Sequence, residues 1–138
     1  MKLLKEVYTR LVSLPPAPPE TGGIIGSENG IGMTICEDTC SEKNGFSYSP
    51  DVQFLNKTIE QWCENDVSLY AVYHTHIEGG YELSKQDKAY AEKIIRSMPD
   101  SIKQLYFPIV IPSDRVVAYK ALKRGNQISI IKDKLVII

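Results

Sequence analysis

Only two histidines occur in this chain, His74 and His76, and a single residue separates them. Alternate residues of a β-strand point to the same face, so a strand here would present both imidazoles together. Asp87 follows after a glycine-containing stretch. Two imidazoles and one carboxylate, with a fourth position left to water, form the ligand set of a catalytic zinc site. These residues therefore predict one Zn2+ per chain, with a bound water.

The elements around these residues are predicted to bring the three ligands together. Residues 67–73 are rich in β-branched and aromatic side chains, which predicts a buried strand that runs into His74. Residues 77–83 are predicted to form a loop, and Ser84 is predicted to cap a helix that ends near residue 97. This helix carries Asp87 in its first turn, where the helix N-terminus favours a negative charge.

The remaining patterns predict one domain, residues 1–138, in which strands and helices are mixed. Asn29-Gly30 is a strong hairpin signal because both residues tolerate positive φ. Ser49 as N-cap followed by Pro50 predicts the start of a helix. Helices are predicted at residues 3–14, 50–64 and 84–97, strands at 24–28, 31–36, 46–48, 67–73, 105–111, 116–122 and 128–138 (the last divided near 132–134), and a polar loop at 37–45.

Composition and charge exclude several classes of protein. The chain has 138 residues, 43% of them hydrophobic and 24% charged, which suits a domain with a packed core. The formal net charge is -1, from 16 basic and 17 acidic residues, which argues against binding to nucleic acid. No apolar run approaches the length of about 20 residues that spans a bilayer, and the N-terminus lacks a signal-peptide core. We therefore expect a cytoplasmic protein with no membrane partner.

Three cysteines are present, and an odd number in a chain of this kind is typical of free thiols. Cys36 and Cys40 are close enough in sequence for a zinc–thiolate site, but two thiolates and a distant third would leave it incomplete. Cys63 lies on a predicted helix beside Trp62, where packing in the core is the expected role.

The pattern His74-x-His76 followed by Ser84-x-x-Asp87 resembles the signature of the JAMM/MPN zinc metallopeptidases. The upstream segment Glu20-x-Gly-Gly and the order of elements also resemble that family, over residues 20–117. The short chain is similar to the prokaryotic, JAB-type branch. The resemblance implies an α/β (α+β) fold with an MPN/cytidine-deaminase-like mixed sheet flanked by two or three helices. One difference is Ile77, which stands where the family usually has proline.

The resemblance also implies a role for each residue of the motif. His74, His76 and Asp87 would ligate zinc, Glu20 would be the general base, and Ser84 would stabilise the oxyanion. The implied activity is hydrolysis of an amide or isopeptide bond after the C-terminal glycine of a ubiquitin-like protein or its conjugate. The implied partners are that protein and E1- or E2-like conjugation enzymes.

The loop after the histidines is predicted to contact the substrate. Tyr81 lies beside Gly79 and Gly80, and we expect these three residues to meet a Gly-Gly tail. Such a tail could bind as an added β-strand at an exposed sheet edge.

Two other hypotheses compete with a peptidase. The first is a non-catalytic MPN-like module that binds or scaffolds ubiquitin-like partners, although such modules typically lack the metal ligands. The second is a DNA-linked role like that of the bacterial RadC group, whose His-Asn-His-Pro-Ser-Gly pattern does not fit Thr75, Ile77 and Glu78. Ser84-x-x-Asp87 taken alone would be interpreted as a capping box.

Overall fold

The computed structural model describes residues 1–41 and 47–138. In these ranges the helices are α1 (Lys5–Val12), α2 (Val52–Glu64) and α3 (Lys85–Ser97). The strands are β1 (Lys2–Leu3), β2 (Gly22–Glu28), β3 (Ile31–Glu37), β4 (Ser68–Thr75), β5 (Gln104–Tyr106), β6 (Ile109–Ile111), β7 (Arg115–Val117), β8 (Tyr119–Arg124), β9 (Gln127–Lys132) and β10 (Val136–Ile137). None of the described helices is long and apolar enough to cross a bilayer.

All of these strands belong to one mixed sheet, in the order β10-β1-β3-β2-β4-β5-β8-β9, and β6 joins β4 to β7. Strand β4 is central: it pairs antiparallel with β2 and parallel with both β5 and β6. The predicted fold class is thereby confirmed, because the structure is a single α+β domain with a mixed sheet and three described helices.

The two faces of the sheet carry separate hydrophobic cores. Alternation along β2 and β4 sends Ile25 and Tyr73 to the core that contains α1, and Ile24 and Val72 to the core that contains α2 and α3. His74 follows Val72 by two residues, so its imidazole lies on the same face as α2 and α3. The His74 imidazole therefore lies near the N-terminus of α3.

The hairpin between β2 and β3 forms where the sequence predicts it. Asn29 and Gly30 both have positive φ, 53° and 75°, and Glu28 pairs with Ile31 across the turn. A turn also forms between the strands predicted at 116–122 and 128–138, where Gly125 has φ of 59° between β8 and β9. These turns are local features, which explains why the residue pattern predicts them.

Several predicted boundaries are wrong, among them the start of the first helix and the N-cap of the second. Leu3 was expected in the first helix, but it lies in β1 and pairs in parallel with Gly32 and Ile137. The N-cap of α2 is Asp51 and not Ser49, because the Asp51 carboxylate accepts a hydrogen bond from the Phe54 amide. The first difference arises from strand pairs that are distant along the chain, whereas the second is a choice between two nearby residues that can both cap a helix.

The strand predicted at residues 105–111 is divided in two. Pro108 cannot donate a hydrogen bond to a neighbouring strand, and the chain changes partner there. On one side β5 pairs with β8, and on the other β6 pairs with β7. Residues 42–45 of the loop predicted at residues 37–45, and Phe46 of the predicted strand at 46–48, lie outside the described residues.

Candidate metal centre

The two histidines lie at the end of the central strand. His74 pairs with Gly22 of β2 and with Ile109 of β6, and the His76 amide donates to the Val110 carbonyl at 2.9 Å. The Nε2 atoms of His74 and His76 are 2.8 Å apart, and each side chain is only about a tenth exposed. Strand geometry therefore brings the two imidazoles together, as the spacing predicts.

A main-chain carbonyl orients the second imidazole. Nδ1 of His76 lies 2.8 Å from the Gly80 carbonyl oxygen, so Nδ1 carries the proton and Nε2 presents a lone pair. The turn that supplies this carbonyl is closed by the Gly80 amide, which donates to the Ile77 carbonyl at 3.0 Å. Gly79 adopts φ of 87° in this turn, a value that glycine tolerates at no steric cost. The turn forms with Ile77 in place of proline.

Asp87 reaches the histidines from the N-terminus of α3. Ser84 is the N-cap: its hydroxyl oxygen accepts from the Asp87 amide at 3.0 Å, and its amide donates to Asp87 Oδ2 at 2.9 Å. The same Oδ2 lies 3.4 Å from Nε2 of His74 and 3.2 Å from Nε2 of His76. Burial raises the pKa of Asp87, but the neighbouring imidazoles of His74 and His76 and the hydrogen bond from the Ser84 amide outweigh it and hold the pKa well below its usual range.

These three atoms are nearly as far apart as the ligands of a first coordination shell. Ligands about 2.0–2.1 Å from a tetrahedral zinc lie about 3.3–3.4 Å from one another. The separations from Asp87 Oδ2 to the two Nε2 atoms, 3.4 and 3.2 Å, match this value, whereas the two Nε2 atoms are closer to each other, at 2.8 Å. Two imidazole lone pairs and a carboxylate oxygen repel one another at such distances unless a proton or a cation lies among them. The donor set therefore fits a divalent zinc ion.

Glu20 supplies a second carboxylate beside the same two rings. Its oxygen and one nitrogen of each histidine all lie within 4.8 Å of one another. Burial raises the pKa of Glu20, and the neighbouring charges of His74 and His76 oppose this only in part. A carboxylate with a raised pKa, close to a metal ligand set, has the properties of a general base. Glu20 is the alternative third ligand in place of Asp87. The zinc content of the Glu20→Gln variant distinguishes the two assignments.

The site opens into a cleft of about 300 Å³. Its lining includes the five residues that the sequence motif identifies: Glu20, His74, His76, Ser84 and Asp87. Tyrosine rings and small polar groups complete the walls: Ser47, Tyr48, Ser49, Gln86 and Tyr90, with Val72, Tyr73, Leu83 and Phe107. The structure thus brings together every residue predicted to bind metal or to act in catalysis.

Asp38 and Tyr48 shape one wall of this cleft, and sequence reasoning did not identify either of them. Asp38 is buried, and its carboxylate accepts hydrogen bonds from the Tyr48 hydroxyl at 2.9 Å and from the Asp51 amide at 2.8 Å. The Tyr48 ring lies against Gly22, where an added Cβ would be 2.4 Å from a ring carbon. Burial and the Asp38 carboxylate raise the pKa of Tyr48, which keeps the phenol protonated.

The three residues predicted to contact substrate belong to the loop after the histidines. In the described part of the chain, Tyr81, Gly79 and Gly80 are not among the residues that line the cleft. The Tyr81 hydroxyl donates to Asp114 at 2.9 Å, and the Arg115 guanidinium lies 4.8 Å from the centre of the Tyr81 ring. Their contact with a substrate stays a prediction, whereas the geometry gives the Gly80 carbonyl a contact with His76.

The cysteines do not contribute to this cleft. All three thiols are free, as predicted, and Cys36 is half-buried with Sγ 3.5 Å from the Thr58 hydroxyl. Cys40 and Cys63 are exposed. The predicted burial of Cys63 is therefore wrong, because this position of α2 faces outward.

The chain matches no protein-family model and no curated protein. Among the solved structures that it resembles is a solution structure of a protein from Desulfitobacterium hafniense, with a TM-score of 0.69 and 13% identity, covering 100% of this chain and 93% of the other. Another is a solution structure of a protein from Salinibacter ruber, with a TM-score of 0.55 and 10% identity, covering 100% and 92%. At these identities the similarity shows the fold alone.

Proposed function

We propose that the protein is a zinc-dependent peptidase or isopeptidase of the JAMM/MPN type. The observation that carries the proposal is the convergence of His74 Nε2, His76 Nε2 and Asp87 Oδ2 within 2.8–3.4 Å, with a second carboxylate beside them. His74, His76 and Asp87 would hold the ion. Zinc, when bound, supplies a Lewis acid that makes a water molecule a competent nucleophile at neutral pH.

Glu20 would move the proton in this reaction. Its carboxylate accepts a proton from the attacking water and returns it to the leaving amine, so that a single residue serves as base and then as acid. The raised pKa of Glu20 favours the first of these steps, because a more basic carboxylate takes the proton of the water more readily. The water oxygen bonds to the substrate carbonyl carbon, and the C–N bond of the tetrahedral intermediate then breaks.

Ser84 would stabilise the oxyanion of that intermediate. The Ser84 oxygen already accepts a hydrogen bond from the Asp87 amide, which leaves its O–H free to donate to a substrate. The side chain is exposed to the cleft beside the histidines. A donor aimed at developing negative charge lowers the barrier to acyl transfer.

We expect Ser84→Ala to reduce both stability and turnover. Loss of the cap should cost about 1 kcal/mol in the free energy of unfolding, and loss of the oxyanion donor should lower kcat by about 10²–10³-fold. Urea unfolding and single-turnover cleavage measure the two effects. The matched control is Asp51→Ala, which removes an equivalent N-cap from α2 outside the cleft. An equal loss of turnover in both variants would mean that Ser84 acts only as a cap.

The substrate class comes from the resemblance of the sequence motif. We propose that the scissile amide bond follows the C-terminal glycine of a ubiquitin-like protein or its conjugate. The test uses β-grasp proteins that end in Gly-Gly, each fused through that glycine to a fluorescent peptide; we call these the Gly-Gly fusions. Zinc-loaded protein should cleave at least one of them after the second glycine, and the matched Gly-Ala fusions should be cleaved much more slowly.

Two results would contradict this proposal. If zinc-loaded protein binds the Gly-Gly fusions without cleaving them, the non-catalytic binding module becomes the better explanation. If it neither binds nor cleaves them but hydrolyses unrelated peptides, the metallopeptidase chemistry stands and the substrate class is wrong.

A further inference from the structure

Thr75 lies between the two histidines, and its side chain points away from the cleft. It is fully buried, and it is one of three buried polar residues in the described part of the chain, with Ser27 and Asp38. A buried hydroxyl requires hydrogen-bond partners, so the partners indicate what the hydroxyl holds in place.

Among the described residues, every hydrogen bond of the Thr75 side chain is made with Thr21. The Thr75 hydroxyl oxygen accepts from the Thr21 amide at 2.9 Å and donates to the Thr21 carbonyl at 3.4 Å. The two hydroxyl oxygens are 3.5 Å apart, and the Thr75 amide donates to the Thr21 carbonyl at 2.8 Å. Thr75 therefore satisfies both main-chain groups of Thr21.

Thr21 connects Glu20 to the end of β2, so its contacts with Thr75 bear on the position of Glu20. The ladder between β2 and β4 ends at the pair Gly22–His74, so Thr21 lies beyond the regular strand. Pro18 and Pro19, on the other side of Glu20, have no amide hydrogen with which to anchor the chain. The described residues provide no hydrogen bond to the Glu20 carboxylate. The contact between Thr21 and Thr75 is thus the nearest attachment of Glu20 to the strand that carries the histidines.

We propose that Thr75 is a positioning residue, whose hydroxyl holds Thr21 and thereby keeps the Glu20 carboxylate against His74 and His76. The inference rests on the proposed function, because it assigns the positioned carboxylate its role as the base. A single residue then links the two halves of the site: its neighbours are the two histidines, and its side chain holds the residue next to Glu20.

The test compares Thr75→Val with Thr75→Ser in the zinc-loaded protein. Valine keeps the shape and the strand preference of threonine but loses the hydroxyl, whereas serine keeps the hydroxyl. We expect Thr75→Val to lower kcat on a Gly-Gly fusion by about 10- to 100-fold, with KM and zinc content unchanged. Thr75→Ser should retain most of the activity. The control is Ser27→Ala, which removes a buried hydroxyl at the opposite end of β2 and should leave kcat unchanged.

A double-mutant comparison separates positioning from a general loss of structure. In single turnovers with excess enzyme, Thr75→Val should cause no further loss in a Glu20→Gln background, since the group being positioned is already absent. An equal loss in both backgrounds, wild-type rates in Thr75→Val, or loss of zinc from that variant would overturn the proposal. If Thr75→Val does not fold, Thr75→Ala is measured in the same way.

Amide hydrogen exchange distinguishes failure of this inference from failure of the proposed function, because it requires no substrate. The Thr21 amide should exchange about tenfold faster in Thr75→Val than in wild type or Thr75→Ser. If the wild type cleaves nothing and this contrast is present, the proposed function fails while Thr75 still holds Thr21. If Thr21 exchanges equally in all three proteins, the positioning role is overturned whatever the cleavage rates.

Discussion

Glu20→Gln is expected to abolish turnover and to leave zinc binding intact. Glutamine has nearly the same shape as glutamate but cannot accept the proton of the attacking water, so kcat should fall by about 10²–10⁴-fold. The Asp87 and histidine atoms that would hold the ion are unchanged by this substitution. Single-turnover cleavage of a Gly-Gly fusion and elemental analysis of the purified protein measure the two quantities.

The matched control for this substitution is Glu78→Gln. Glu78 is an exposed carboxylate in the loop after the histidines, and it does not line the cleft. The control makes the same change of charge close to the site and should retain full turnover. Loss of zinc from Glu20→Gln would instead identify Glu20 as a ligand, and full turnover in that variant would rule it out as the base.

His76→Ala is expected to remove both zinc and activity. The substitution deletes one of the three converging donor atoms and leaves an incomplete ligand set. In wild type, zinc at a thousandfold excess over its Kd should stabilise the native state by about 4 kcal/mol. The melting temperature of wild type should therefore fall when a chelator is added, whereas that of His76→Ala should not respond.

Zinc content measured beside this variant also tests the cysteines. Cys40→Ser changes an exposed thiol that does not line the cleft, and this variant should retain one zinc per chain. Loss of zinc from Cys40→Ser with retention in His76→Ala would place the ion at a thiolate site and contradict the proposed centre. Absence of zinc from the wild type, even after zinc is added, would contradict the peptidase proposal and favour the non-catalytic binding module.

The features that the sequence predicts correctly depend on neighbours along the chain. The Asn29-Gly30 hairpin, the strand that runs into His74 and the cap at Ser84 are each determined by a few adjacent residues. Asp87 shows this most clearly. It is the third residue after the N-cap Ser84, so the cap alone places it in the first turn of α3. The identity of the residues that meet at the candidate site could therefore be predicted before any contact was known.

The features that the sequence does not predict depend on pairs that are distant along the chain. Leu3 joins a strand because β10 and β3 lie beside it, and Tyr48 joins the cleft because Asp38 is buried within hydrogen-bond distance. No periodicity encodes such pairs. The error at Cys63 has a different cause, since Leu55, Ile59 and Trp62 mark the packed face of α2 and Cys63, one residue after Trp62, lies off that face.

The sequence by itself determined which side chains could hold a metal, because residue type and strand or helix period are local properties. Only the tertiary structure decided how these side chains are oriented. The Gly80 carbonyl sets the tautomer of His76, and Thr75 attaches the segment that carries Glu20. The first is a contact between a side chain and a carbonyl four residues away, and it depends on how the loop turns. The second joins residues that are 54 apart along the chain. Residue type and strand or helix period specify neither contact.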